Sequence, residues 1–252
     1  MELSLEEIRL LATELGEIQA LRGITLTGGE PLLRTDIADI VKAFSTIGIS
    51  TAVATNGTLL TRDLALQLVD SGVEHFDIGF TDPSHETVMA MTHAVRTAAT
   101  VTASLCIHSG NYERTGVRVR TAAALGADSV CLNRFVPTGR GRKNRCSLSL
   151  SNEELYQALE LAQKAAESCP VHMYTGIPVE PDRDFPSIEF STCRCGETKW
   201  AIDPAGNLRT CEQNHRSLGN LMDTTFEELL EVHSREIDQF RSKTATGCAF
   251  LY

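Results

Sequence analysis

Segments typical of strands alternate with segments typical of helices along the first 136 residues of the chain. Short runs rich in β-branched and apolar residues are separated by amphipathic stretches, which begin at capping residues such as Ser4 and end at glycines such as Gly48. The runs are 24–27, 49–55, 73–80, 101–107 and 128–136. Parallel strands need a crossover connection, which a helix supplies. The order therefore predicts an α/β fold in which five parallel strands form an open, curved wall, a partial (β/α) TIM-like barrel.

Glycines and polar residues follow the carboxyl end of each predicted strand. Gly28, Gly29 and Glu30 follow the first strand, and Pro31 prevents that strand from continuing. The other strands end at Asn56-Gly57, Thr81-Asp82, His108 to Asn111 and Thr138 to Arg140. Ligand sites of parallel barrels lie at this edge, because the loops that follow the strands gather there. We expect a site for a small polar ligand at this edge.

The composition excludes several classes of partner. The 252 residues carry a net charge of −10 and have no basic run, which argues against binding to nucleic acid or to an anionic membrane. Neither a signal peptide nor a membrane span is recognisable in the sequence. The eight cysteines are more typical of reduced thiols or metal ligands than of disulfides in such a chain. We expect a cytoplasmic protein in which Cys106 and Cys131 are core residues of strands.

A different kind of sequence follows the proline-marked stretch 178–186. Cys193 and Cys195 precede a predicted hairpin with its turn at 204–207, and Cys211 ends the second strand of that hairpin. Because a hairpin brings its two ends together, the thiols should meet there. Gathered thiolates suit zinc or an iron–sulfur cluster. The pattern predicts a small cysteine-containing module of hairpin and helix, with a further turn at 219–221.

Several of these motifs resemble the radical S-adenosylmethionine superfamily. The resemblance covers nearly the whole chain and rests on Thr-Gly-Gly-Glu-Pro-Leu-Leu-Arg at 27–34, Thr-Asn-Gly-Thr-Leu-Leu at 55–60 and Pro-Thr-Gly-Arg at 137–140. It implies that Gly28, Gly29, Glu30 and Pro31 bind the amino group of the methionine part of S-adenosylmethionine. The other residues that it implies for the cofactor and substrate pocket are Asn56, Thr81 or Asp82, His108 and Arg140.

The cysteine module resembles the SPASM or twitch extension of the same superfamily, which binds an auxiliary 4Fe–4S cluster. The shared pattern is a glycine, four residues and a cysteine, at Gly206 and Cys211, followed by Gly-Asn-Leu at 219–221. The implied metal ligands are Cys193 or Cys195, Cys211 and Cys248, with Cys193 favoured because Cys-x2-Gly is the commoner form. The resemblance divides the chain into a partial barrel domain, 1–186, and an incomplete auxiliary cluster domain, 187–252.

One defining motif of the superfamily is not found in these 252 residues. It is Cys-x3-Cys-x2-Cys after the first barrel strand, which holds the 4Fe–4S cluster that binds S-adenosylmethionine. Two interpretations are open: the sequence is a truncated piece of a normal enzyme, or it has lost the chemistry. The intact strand ends favour truncation, and the sequence after Cys248 suggests truncation at the other end too. We therefore expect the chain alone to form no 5′-deoxyadenosine.

The resemblance implies reductive cleavage of S-adenosylmethionine to a 5′-deoxyadenosyl radical, which abstracts a hydrogen atom from the substrate. Members with auxiliary clusters modify peptides or precursors of cofactors and tetrapyrroles, and they receive electrons from a reductant protein. The alternative is a non-catalytic iron–sulfur or scaffold protein that has lost the radical cluster. A metal-independent barrel enzyme is a third interpretation, and the cysteine hairpin disfavours it.

Overall fold

Seven strands form one parallel sheet in the computed structural model, which describes residues 2–176, 183–244 and 248. The strands pair in chain order, each parallel to the next. They are β1 (Gly23–Leu26), β2 (Ser50–Thr55), β3 (Val73–Gly79), β4 (Thr100–Ile107), β5 (Ser129–Arg134), β6 (His172–Tyr174) and β7 (Ile188–Glu189). The predicted α/β class, a partial TIM-like barrel of parallel strands, is confirmed.

Helices connect the strands of this sheet and continue beyond it. They are α1 (Leu5–Gly16), α2 (Ile37–Ser45), α3 (Arg62–Asp70), α4 (His85–Ala94), α5 (Thr115–Ala124), α6 (Arg145–Leu148), α7 (Asn152–Ala166), α8 (Phe226–Val232) and α9 (Ser234–Thr244). Ser4 caps α1 as predicted, and Ser151 caps α7; each accepts a hydrogen bond from the backbone of a glutamate three residues on. Among the described residues, no helix is long and apolar enough to cross a membrane.

The sheet buries one face against helices, and its other face lines the barrel. Val53, Phe76, Val101 and Val130 are fully buried in the main core with residues of α3, α4, α5 and α7. Side chains alternate along a strand, so the residues between these positions point to the inside of the barrel. The interior positions carry mostly small or polar residues, in contrast to the branched apolar side chains that fill most (β/α) barrels. The barrel interior is therefore suited to holding a polar ligand.

A second core joins the cysteine module to the first two helices. Leu208, Leu218 and Leu229 of the module pack with Leu11 of α1 and Phe44 of α2. Two hydrogen bonds support this contact, from the Leu3 amide to the Pro204 carbonyl at 2.7 Å and from the Phe226 amide to Glu14 Oε1 at 3.0 Å. The module is thus attached to the barrel by a hydrophobic core.

The structure differs from the sequence predictions in three respects. The sheet has seven strands instead of five, because β6 and β7 contain only three and two residues and lack a long apolar run. The turn predicted at 219–221 is wrong, since β10 (Gly219–Asn220) pairs antiparallel with β9 (Asn207–Arg209), which also pairs with β8 (Ala201–Ile202). Helix α9 was not predicted.

The predicted domain boundary at residue 186 lies just before β7. Ile188 of that strand pairs with Met173 of β6, so the sheet extends beyond residue 186. Part of the proline-marked stretch, 177–182, lies outside the described residues. The division of the chain at 186 stays a prediction.

We predict that Gly72→Ala destabilises the fold more than Gly48→Ala. Both glycines have positive φ, +112° and +81°, which costs an L-residue about 1–2 kcal/mol. A Cβ at Gly72 would also lie 2.3 Å from the Ser45 Cβ, whereas nothing lies within 4 Å of one at Gly48. Overpacking of this kind adds about 1–3 kcal/mol. Urea unfolding of both variants measures the difference, and equal losses would contradict it.

Candidate functional site

The carboxylate of Glu30 connects the ends of β1 and β2. Its Oε1 accepts hydrogen bonds from the Leu32 amide at 3.1 Å and from Thr55 Oγ1 at 2.7 Å. Its Oε2 accepts one from the Asn56 amide at 2.8 Å. An ionised carboxylate has about four acceptor positions, so roughly one remains for a ligand. The structure therefore brings Glu30 and Asn56 together, as the sequence predicted for neighbouring strand ends.

Gly28 and Gly29 leave the edge beside Glu30 open. Gly28 has φ of +135°, a conformation that favours glycine, and no atom lies within 4 Å of a Cβ added to either glycine. Pro31 is buried and begins a short 3₁₀ helix, Pro31–Leu33, whose first turn Glu30 caps. The backbone of the two glycines is thus accessible to a ligand that also contacts Glu30.

Asn56 fixes the loop that follows β2. Its Oδ1 accepts hydrogen bonds from the Thr58 amide at 2.8 Å and from Thr58 Oγ1 at 2.7 Å. Asn56 is exposed, so its amide nitrogen can still donate to a ligand at this edge.

The next predicted site residues follow β3 and β4. Thr81 Oγ1 accepts a hydrogen bond from the Cys106 amide at 2.7 Å, and Asp82 forms an ion pair with Arg118. His108 Nδ1 accepts from the Gly110 amide at 3.1 Å, which leaves Nε2 as the protonated nitrogen of the neutral ring. Burial lowers the pKa of His108, and the nearby Asp82 carboxylate opposes that shift. Asp82 and His108 therefore lie within electrostatic reach of each other.

Arg140 lies in the 3₁₀ helix Gly139–Asn144, and its side chain is outside what the structure describes. The neighbouring Thr138 donates a hydrogen bond from Oγ1 to Gln213 of the cysteine module. The loop after β5 thus contacts that module. The assignment of Arg140 and the other strand-end residues to a cofactor pocket stays a prediction.

The interior of the barrel carries a row of polar side chains that the sequence analysis did not single out. The register aligns Asp77 with Thr102, Thr102 with Ser129, and Ser104 with Cys131. The hydroxyls of Thr102 and Ser129 are 2.6 Å apart. The registers place further residues of β3 to β6 on this face: His75, Gly79, Thr100, Cys106, Asn133, His172 and Tyr174. The alternation of polar and apolar residues in 100–107 is the sequence signal that could have identified them.

Burial dominates the electrostatics of this interior. It raises the pKa of Asp77 above the usual range, and a hydrogen bond with Ser104 and the charges of His75 and Lys199 oppose the shift. Burial also raises the pKa of Cys131 to about 11 and that of Tyr174 to about 12. Cys131 is therefore a protonated thiol at neutral pH. It is buried as predicted, but on the barrel side of the sheet.

Two of the predicted metal-binding thiols meet at the open end of the hairpin. Ligand atoms of Cys195, Cys211 and Glu212 all lie within 4.8 Å of one another. A hydrogen bond with Cys211 and burial raise the pKa of Cys195, while the same bond lowers the pKa of Cys211. This hydrogen bond makes Cys211 the more acidic thiol of the pair.

The geometry bears on the choice between Cys193 and Cys195. The sequence favoured Cys193, whereas the group of three contains Cys195. Cys248 is buried, and its position relative to the group stays a prediction. Which of these thiols bind metal also stays a prediction.

Lys199 interacts electrostatically with both the thiol group and the barrel interior. Its Nζ is 3.2 Å from Glu212 Oε1, and its charge acts on Asp77 and on both Cys195 and Cys211. Burial alone would raise the pKa of Glu212, but the Lys199 ammonium lowers it below the usual range. Lys199 therefore couples the module to the barrel electrostatically. Neither Lys199 nor Glu212 was singled out from the sequence.

Comparison with known proteins finds a family match over residues 1–108 and similar proteins over most of the chain. Residues 1–108 match the sequence model of the Radical SAM superfamily. A PqqA peptide cyclase from Streptomyces rochei is 29% identical over 221 residues, which cover 81% of this chain and 58% of the cyclase. An AdoMet-dependent heme synthase from Oleidesulfovibrio alaskensis is 23% identical, with 96% of this chain and 69% of the synthase covered.

The fold is also similar to that of solved structures. The structure titled native anSMEcpe with bound AdoMet and Kp18Cys peptide has a TM-score of 0.71 at 14% identity, covering 96% of this chain and 79% of that one. The chain spans 56–63% of the length of the first three curated relatives it matches, all PqqA peptide cyclases. Taken with the Gly-Gly-Glu-Pro edge and the parallel barrel, these matches show that residues 1–108 are similar to the Radical SAM superfamily and that most of the chain is similar to radical SAM proteins in sequence and fold.

Proposed function

We propose that this chain binds S-adenosylmethionine at the edge formed by Gly28, Gly29, Glu30 and Asn56. The proposed reaction is a radical modification of a peptide or of a cofactor or tetrapyrrole precursor. The observation that carries the proposal is the Glu30 carboxylate, which three hydrogen bonds orient beside an open glycine backbone. A carboxylate with acceptor capacity left over suits the ammonium group of the methionine part.

If S-adenosylmethionine were bound here and reduced by an iron–sulfur cluster, whose Cys-x3-Cys-x2-Cys ligands are not found in these 252 residues, it would supply the 5′-deoxyadenosyl radical for hydrogen abstraction. The residues of this chain orient the cofactor and the substrate. Glu30 and the backbone of Gly28 and Gly29 fix one end of the cofactor, and the polar interior around Asp77 and Ser104 offers hydrogen bonds to a substrate. Walls buried against helices on their outer side keep this interior rigid.

The choice of substrate class follows from the relatives. The cyclase by its name acts on the PqqA peptide, the synthase by its name makes heme, and the solved anSMEcpe structure contains a peptide. We infer a peptide or a tetrapyrrole-type precursor as the substrate of this chain. The proposal also includes a reductant protein as electron donor, a cytoplasmic location, and no nucleic acid or membrane partner.

We further propose that the module holds an auxiliary 4Fe–4S cluster. The proposed ligands are Cys211, Cys248 and one of Cys193 and Cys195, of which the group geometry supports Cys195. The donor set fits, since two thiols already converge and Lys199 offsets part of the negative charge that thiolates would add.

Glu30→Gln is expected to lower the affinity for S-adenosylmethionine at least about tenfold, since a charge-assisted hydrogen bond contributes about 1.5–3 kcal/mol. Binding is measured by anaerobic equilibrium dialysis, with the exposed Glu113→Gln as the matched control. Urea unfolding of both variants measures any loss of stability from a weakened hydrogen bond between the Asn56 amide and residue 30. Equal affinity in wild type and Glu30→Gln would refute the cofactor site.

The activity test is 5′-deoxyadenosine release with dithionite under anaerobic conditions. It is run on the chain as given and on a version extended upstream to include Cys-x3-Cys-x2-Cys. Release that Glu30→Gln abolishes supports the proposed function. Silence from both versions with iron bound supports the non-catalytic alternative.

Asp77→Asn is expected to stabilise the protein at neutral pH. Because burial raises the folded-state pKa of Asp77, the native state holds its proton to higher pH than the unfolded state does. The free energy of unfolding therefore falls as pH rises from the usual aspartate pKa through the raised one. Asparagine carries no ionisable proton, so the variant does not lose stability in this way. Urea unfolding from pH 3 to 7 checks this, with exposed Asp238→Asn as the control. An Asp77→Asn variant no more stable at pH 7 would contradict it.

Cys195→Ala is expected to lose more iron than Cys193→Ala after anaerobic reconstitution. The reason is that Cys195 Sγ, and not Cys193 Sγ, belongs to the group with Cys211 and Glu212. Iron and sulfide are counted per chain, with Cys211→Ala as the reference for a lost ligand. The reverse order of iron loss would restore Cys193 as the ligand.

A further inference from the structure

Glu212 places a carboxylate oxygen beside the two converging thiols. Its Oε2 lies 3.6 Å from Cys211 Sγ, and the ligand atoms of Cys195, Cys211 and Glu212 are mutually within 4.8 Å. Ligands of one tetrahedral ion lie roughly 3.3–3.8 Å apart, as follows from metal–sulfur and metal–oxygen bonds of about 2.3 and 2.0 Å. The three atoms are therefore close enough to bind one ion after a small contraction.

The carboxylate is also oriented for such a role. Its other oxygen, Oε1, is held by Lys199 Nζ at 3.2 Å, so the two oxygens have different partners. Outer partners of this kind orient metal-binding carboxylates in many sites. The side chain of Glu212 is 42% exposed, so an incoming ion can reach it.

The local charge favours a cation at this position. With a metal bound, both thiols would be thiolates, and with the carboxylate they would place three negative charges within 4.8 Å of one another, against which Lys199 supplies a single positive charge. A bound divalent ion or an iron of a cluster would offset the remaining charge.

We propose that Glu212 is an oxygen ligand of the metal group held by Cys195 and Cys211, with Lys199 as a positioning residue for its carboxylate. This rests on the proposal that the module binds metal through these thiols. It adds a hard oxygen donor to a site that the sequence described by cysteines alone.

The test uses Co²⁺ alone as the probe, added anaerobically to the metal-free chain. Thiolate-to-cobalt absorption in the near ultraviolet reports sulfur ligation, and the visible bands report coordination number and donor type. Glu212→Gln is expected to weaken Co²⁺ binding by about 10–100-fold and to change the visible bands while the thiolate absorption remains. Glu212→Asp should recover part of the affinity.

Two controls define the background. Glu197→Gln removes a similarly exposed carboxylate of the same module, which is paired with Arg194 and Arg241, and should bind Co²⁺ like the wild type. The Co²⁺ that Cys211→Ala still binds measures binding to thiols outside the proposed site.

The outcomes separate this inference from the auxiliary cluster. Wild-type affinity and spectrum in Glu212→Gln would show an ordinary Glu212–Lys199 ion pair and overturn the inference, with the thiol site intact. No difference between wild type and Cys211→Ala would overturn both. In protein reconstituted with Fe²⁺ and sulfide, Glu212→Gln should shift the electron paramagnetic resonance spectrum of the reduced cluster, and an unchanged spectrum would also count against ligation.

Discussion

The hydrogen bonds of the Glu30 carboxylate hold together the edge on which the proposed site depends. They connect the loop after β1 to Thr55 and Asn56 at the end of β2. The donors are two backbone amides and the hydroxyl of Thr55, which is buried. Because these donors are fixed by the sheet, the carboxylate is oriented before any ligand binds. Preorganisation of this kind reduces the entropy lost on binding. The backbone of Gly28 and Gly29 leaves space for a ligand beside the carboxylate, which supplies the negative charge that the ligand would contact.

The outer face of the sheet contributes to stability, and the inner face lines the proposed binding site. The outer face carries the large apolar side chains, such as Phe76, Ile78 and Met173, all fully buried. The inner face carries hydroxyls, thiols and the Asp77 carboxylate, whose raised pKa reflects a cost of burial. Groups that reduce stability and line a cavity are typical of functional sites. Lys199 extends this polar interior to the thiol group of the module.

Sequence signals that act within a few residues predicted the elements whose formation depends on local sequence. Capping residues, glycines and strand runs identified five strands and the helices between them, and the Gly-Gly-Glu-Pro run identified the edge of the site. Strands β6 and β7 were missed because three and two residues carry no periodicity. Cys193 was favoured over Cys195 because a spacing rule cannot report which thiol faces Cys211. Glu212 was missed because an acidic residue beside a cysteine is ordinary until Lys199 and Cys195 are seen around it.

The core shared by α1, α2 and the module joins the two ends of the chain. Phe226 bonds to Glu14, its partner 212 residues earlier, and Leu3 bonds to Pro204. During synthesis, α1 is made long before Leu208 and Leu229, so its apolar face lacks these partners until the module has been made. Contacts of such long separation form slowly. Chaperone demand during translation and the timing of metal loading should both follow from this contact, which forms only after the module has been made.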